Sequence, residues 1–187
     1  YNNSPSAPIK ASSAAAAVLR LTATTTTAGA TLNSATIFFT GSGFSTSTDL
    51  LAISTSTGSG VALYNDAGSS QNNFDATDQV IVLNAASSTW NTGTSTVILT
   101  PQSPVTLSTS TSNIFYVAIR TAGTAVGGHQ IVPVVRPNNI VTSDVNGPAA
   151  EFVANSLAVD VVAPTVTTGG GPPNGQTNVP VDAMVDR

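Results

Sequence analysis

Apolar and polar residues alternate along most of this chain with a period of two, the spacing of half-buried β-strands. The clearest run is residues 113–120, where Phe115, Val117 and Ile119 fall on one face and Ile114, Tyr116 and Ala118 on the other. Both faces carry apolar groups, which predicts a central strand with sheet neighbours on both sides. Shorter runs surround it. Strands are predicted over 18–24, 30–40, 61–64, 79–83, 94–100, 105–107, 129–136 and 156–162. Pro133 inside one of them predicts an edge strand or a bulge. Gly, Asn and Ser/Thr clusters punctuate these runs every 8 to 15 residues or so, the rhythm of an antiparallel β-sandwich.

One helical turn is expected, over residues 46–54. Thr46-Ser-Thr-Asp49 has capping-box spacing ahead of Leu50, Leu51 and Ile53. Residues 1–16, with Pro5, Pro8 and an Ala run, form an extended lead-in with an edge strand near Ile9. Residues 17–162 form the sandwich domain. The composition shifts at Ala163-Pro164, and residues 163–187 hold Gly169-Gly-Gly-Pro-Pro173. That tail is too short to build a core of its own.

Composition narrows the function classes. Hydrophobic residues make up 41% of the 187, enough for a core, whereas charged residues are only 7%, far below the roughly 25% of a typical domain. Ser, Thr and Asn must therefore clothe the surface. With five basic residues and a net charge of −4, no basic patch exists to neutralise phosphates, so nucleic acid is not an expected partner. No apolar run approaches the roughly 20 residues that span a bilayer, so membrane insertion is not expected. The absence of cysteine removes disulfides, thiol nucleophiles and thiolate metal sites. Starting at Tyr1 without a signal peptide, the chain is expected to be a processed product, an engineered piece or a fragment.

The residues 160–183 resemble the opening of bacterial Ig-like repeats of S-layer and other surface proteins. The matching positions are Asp160, Ala163-Pro164-Thr165, Asn174-Gly175 and Val179-Pro180-Val181-Asp182-Ala183. The resemblance covers this stretch alone, and the rest of such a repeat is missing, so the tail is expected to be a truncated module or a linker to one. The body is similar to repeats in long surface proteins of uncultured bacterial lineages. Gly43-Phe-Ser-Thr-Ser-Thr-Asp-Leu50, Gly60-Val-Ala-Leu-Tyr-Asn-Asp66, Phe74-Asp-Ala-Thr-Asp78, Ile119-Arg-Thr-Ala122 and Gly128-His129 carry that similarity. These resemblances imply an Ig-like sandwich and a structural or adhesive module, with no catalytic residues.

The best chemical candidate is the loop holding Asp66, Asn72, Asp75 and Asp78. Carboxylate and amide oxygens are hard ligands suited to Ca²⁺, and the loop resembles calcium-binding turns. It departs from them in having Asn72 where an acid would stand and loose spacing from Asp66. The competing reading is an Asx-turn loop bonded to its own backbone. Asp144 and Asn146 offer a second, weaker set, more simply a turn. Tyr64 and Trp90 could stack on a sugar ring, against core or rim packing. Lys10 and Glu151, the sole lysine and sole glutamate, could serve an isopeptide crosslink if the acid sat in an apolar pocket; otherwise both are solvated. His129 lacks a Gly-x-Ser-x-Gly elbow elsewhere in the chain and is expected at a strand edge. Asn2-Asn3-Ser4 fits an N-glycan acceptor.

These readings converge on a non-catalytic, extracellular, cell-surface structural module. Its partners are expected to be further copies of itself or neighbouring domains of the same protein. It is not expected to be an enzyme. The rival expectation is an adhesin or carbohydrate-binding module.

Overall fold

A chain rich in Thr, Val and Ile at alternate positions favours pleated strands, because branched side chains are stiff at χ1 and pack well on a sheet. The computed structural model describes residues 2–3, 9–10, 14–52, 60–67 and 71–160. Its strands, in chain order, are β1 (Asn2–Asn3), β2 (Ile9–Lys10), β3 (Ala16–Ala23), β4 (Thr31–Thr40), β5 (Val61–Asn65), β6 (Gln79–Val80) and β7 (Thr89–Asn91). Then follow β8 (Thr96–Leu99), β9 (Val105–Thr106), β10 (Asn113–Ile119), β11 (Gln130–Val135), β12 (Ile140–Thr142), β13 (Phe152–Val153) and β14 (Leu157–Asp160). One helical turn, α1 (Thr46–Asp49), lies between β4 and β5.

The strands form two sheets. The first runs β1-β3-β10-β5-β6, and the second runs β2-β14-β11-β4-β8-β7, with β9 and β12 also paired to β4 and β13 to β11. The fold is the antiparallel, all-β sandwich that the alternation predicts. The exception is β2, which lies parallel to β14, with Ile9 opposite Val159 and Lys10 opposite Asp160. The edge strand expected near Ile9 is this one.

Strand β10 is central, flanked by β3 and β5. Phe115, Val117 and Ile119 enter the core between the sheets, with Leu19 and Leu21 from β3, Ile37 and Phe39 from β4, and Val97 and Leu99 from β8. Its other face, Ile114, Tyr116 and Ala118, joins Ala62 and Tyr64 in a second cluster on the outside of the first sheet. Phe74 and Val80 pack over that cluster, so this sheet is covered on both sides.

The helical turn starts at Thr46 as expected but is shorter, and its N-cap lies one residue before the one that the capping-box spacing implies. Ser45 is the N-cap, and Leu50 has left the helix for extended backbone at φ −114, ψ 150. Residues 53–54 of the expected helix lie outside the described residues. The turn stops because its last residue is used elsewhere: the Asp49 carbonyl accepts the Ala122 N–H, and Leu50 bridges to Thr121. Pro133 also sits differently. It lies on an interior strand, opposite Phe39 of β4. It is tolerated because β11 changes partner there: Gln130 and Ile131 pair with β14, Val134 and Val135 with β13. The missing N–H falls at that break in the ladder. Strands β1, β7, β12 and β13 are not among the predicted ones; each has three residues or fewer, too few to show a period.

The registers define two poles. Strand β3 ends and β4 begins at one, where Leu32, Leu107 and Ile140 close the core. Strands β4 and β14 end at the other, where β11 begins. Antiparallel to β3, β1 runs from the first pole towards the second, and β14 leaves at the second. Strands β1 and β14 therefore point the same way, with β1 lying beside the middle of β3, opposite Leu19 and Arg20.

Phe39 is 2% exposed and touches Phe44 and Trp90, with ring centroids at 6.1 and 5.9 Å. Phe39→Ala is expected to cost about 3–5 kcal/mol in urea unfolding, whereas Val145→Thr on an exposed turn should stay within about 0.5 kcal/mol.

Candidate functional site

The segment after β5 folds back over the outer face of the first sheet because Phe74 has somewhere apolar to go. Its ring meets Tyr64 edge-on at 5.0 Å and Tyr116 at 5.5 Å. Tyr64, Tyr116 and Arg20 lie in one cross-strand row. Arg20 donates from Nη2 to Asn72 Oδ1 at 2.5 Å. The Asn72 N–H in turn donates to Asp66 Oδ2 at 2.8 Å, and Asn72 takes a left-handed φ of 71°, a conformation Asn tolerates better than most residues. The Tyr116 hydroxyl reaches the same Asp66 oxygen at 3.5 Å.

Three of the four predicted loop ligands therefore gather beside Tyr116. Asp66 and Asp78 both raise the tyrosine's pKa through their charge, and Asn72 ties Asp66 to Arg20. Asp75 Oδ1 instead accepts the Thr77 N–H at 2.7 Å and the Thr77 hydroxyl, while the Asp75 N–H donates to Asp78 Oδ2 at 2.9 Å. Much of the loop is thus the Asx-turn structure of the competing reading. Among the described residues, no three His, Cys, Asp or Glu side chains converge to hold a metal. Two carboxylate oxygens nevertheless stand apart: Asp66 Oδ1 and Asp78 Oδ1 are buried and accept no hydrogen bond.

Burial, first, and then the Asp66 carboxylate push the Tyr116 phenol up to about 12; Arg20 opposes the shift. With the folded value above the ordinary 10.0, this group's contribution to stability is complete below pH 10 and is lost as pH rises towards about 12. Tyr116→Phe should remove that alkaline part of the stability profile, read by urea unfolding at pH 9 and pH 11.

Tyr64 and Trp90 do not form one sugar-stacking platform. Tyr64 is buried under Phe74 on the outside of the first sheet, and Trp90, half-buried on β7 of the second, packs on Phe39. Glu151 is exposed and faces Arg136 at 3.7 Å, so it is not the acid of an apolar crosslink pocket; the Lys10 side chain and the Asn2-Asn3-Ser4 acceptor lie outside what is described. In the turn at 142–147, Asn146 Oδ1 accepts the Thr142 N–H and the Thr142 hydroxyl donates to the Val145 carbonyl. Asp144 accepts from Thr25 at 2.9 Å across the mouth of a cleft of about 560 Å³ at the first pole. The cleft has Leu21, Leu32, Leu107 and Phe115 in its floor and threonines around its rim.

No family model and no curated protein matches this chain. Among solved structures, a chain described as Hadza microbial sialidase Hz136 matches with a TM-score of 0.48 and 16% identity, over 81% of this chain and 30% of that one. This chain therefore spans about 30% of that protein's length, and a likeness at this level carries no argument about activity.

A further polar cluster, unread in the sequence, occupies the second pole. Asp49 is fully buried, and its carboxylate takes the Ser45 N–H at 2.8 Å, the Val126 N–H at 3.0 Å and His129 Nδ1 at 2.8 Å. Burial pushes its pKa up, but the two backbone N–H groups and His129 outweigh that and hold it below the ordinary 3.8. Gly43 makes room for the imidazole: with φ +74, a Cβ there would stand 2.6 Å from the ring. The cluster pins α1 to the turn before β11. Nothing in the sequence links two residues 80 positions apart, and the capping-box spacing pointed Asp49 at its own helix. Asp49→Ala would strand three donors and is expected to cost about 3–5 kcal/mol. Because the folded pKa is depressed, the stabilisation from Asp49 is present above about pH 3.8 and lost as pH falls through the lower folded value; acid unfolding of the wild type against Asp49→Asn checks this.

Proposed function

We propose that this chain is a non-catalytic structural module of an extracellular surface protein, joining its neighbours end to end in a stalk, sheath or filament. The observation that carries the reading is the shared direction of the first and last described strands: β1 points away from the first pole and β14 ends at the second. A module threaded this way extends a row without folding it back. The surface suits the same role, being polar and sparsely charged, with charged residues at 7%. Among the described residues, the outer edge of β3 is paired only through Asn2 and Asn3, and open strand edges accept partner strands. The reading therefore includes strand addition between subunits, with residues 163–187 as the donor.

A ligand-binding module is the second reading, favoured by the threonine-rimmed cleft between the sheets. Light scattering and negative-stain microscopy separate the two. The structural reading expects rods or sheets that lengthen with concentration and shorten when residues 163–187 are removed. A monodisperse monomer at every concentration, together with saturable binding on a glycan array, would replace it with the adhesin reading. Assembly unchanged by the truncation would sink donation from that end.

A further inference from the structure

We infer that Asp66 and Asp78 form a binding site for a divalent cation, calcium, beneath the loop on the outer face of the first sheet. The inference goes beyond the structural role and does not depend on it. Asp78 is more than nine-tenths buried, at 9% exposure, and its Oδ1 accepts nothing; Asp66 Oδ1 is buried and likewise free of any donor. A buried carboxylate oxygen without a partner is costly, and proteins ordinarily supply one. Here the two oxygens belong to carboxylates that face each other across the end of the β5–β6 ladder, one step beyond the Asn65–Gln79 pair, and Asp66 also meets the phenol of Tyr116.

The local charge asks for a cation of charge two. Asp66, Asp75 and Asp78 contribute −3, and Arg20 returns +1. No N–H of Arg20 reaches the orphaned oxygens: its Nη2 donates to Asn72, and its Nε is itself buried without an acceptor. The available donors are oxygens, without imidazole or thiolate, which selects a hard ion. A turn-rich loop meets the flexible shell of Ca²⁺ more readily than the strict octahedron of Mg²⁺. Only two carboxylates converge, so neutral oxygens and water would complete the shell. A shell of such low charge belongs with weak sites, of the order of 10⁻⁴–10⁻³ M.

The site can be read without a partner or an activity. Tb³⁺ substitutes for Ca²⁺ and is sensitised by nearby tyrosine, and Tyr64 and Tyr116 both lie under the loop. Terbium emission on excitation of the whole chain should rise to saturation and be displaced by Ca²⁺. Thermal melts should show Tm rising with Ca²⁺, half-maximal at about 0.1–1 mM, and falling back on chelation. Asp66→Asn and Asp78→Asn should each weaken both responses about tenfold or more, while Asp144→Asn, at the cleft, leaves them unchanged. The wild-type titration needs no variant to fold. Absence of saturable emission and of any Tm shift up to about 10 mM Ca²⁺ would overturn the inference, as would a response equal in the wild type and both loop variants.

Discussion

Strand β10 is apolar on both faces, and a two-sheet sandwich supplies a partner for only one of them. The inner face is matched by the second sheet. The outer face, with Tyr116 at its centre, must be matched by something else. The 66–78 loop meets that need by laying Phe74 between Tyr64 and Tyr116. In doing so it carries Asp66 and Asp78 out of water and against the sheet, which raises the tyrosine pKa and leaves carboxylate oxygens unanswered. The apolar demand of one strand thus creates an unusual electrostatic environment beside Tyr116.

The poles solve a different problem. Where strands end, backbone groups need partners and connections need anchors. At the second pole a single buried carboxylate gathers two loop N–H groups and an imidazole, so that the segment after β4 and the turn before β11 are held by one side chain. At the first pole the sheets part slightly over Leu21, Leu32 and Phe115, and a threonine rim with one Thr25–Asp144 bond closes the gap only partly. One end is locked by a buried carboxylate and the other is left open.

How much of this was legible follows from which forces act locally. Alternation over 113–119 reports burial directly, so the central strand and the sandwich were readable, as were the turns between long strands. Pro133 was misplaced because a proline's tolerance depends on where a neighbouring ladder breaks, and no local pattern records that. The gathering of Asp66, Asn72 and Asp78 was readable from a cluster of oxygen ligands in one loop, although the self-bonding of Asp75 through Thr77 was only one of two readings. Asp49 was misread because its spacing satisfied a helix cap, while the partners that fix its role, Val126 and His129, arrive only through the tertiary fold. Tyr64 was readable as apolar, but its burial required knowing that Phe74 returns to cover it.

The parallel alignment of β2 with β14 has a consequence for a chain under tension. Pulling on parallel neighbours through their opposite ends loads the hydrogen bonds between them in shear, so that they share the force instead of opening one at a time as an antiparallel pair does when it is unzipped. The sole parallel pairing among the described strands joins the second strand to the last, with Ile9 beside Val159 and Lys10 beside Asp160. It stands where a stretched polymer would apply its load, and it makes the rate of forced opening, rather than equilibrium stability, the quantity that this seam controls.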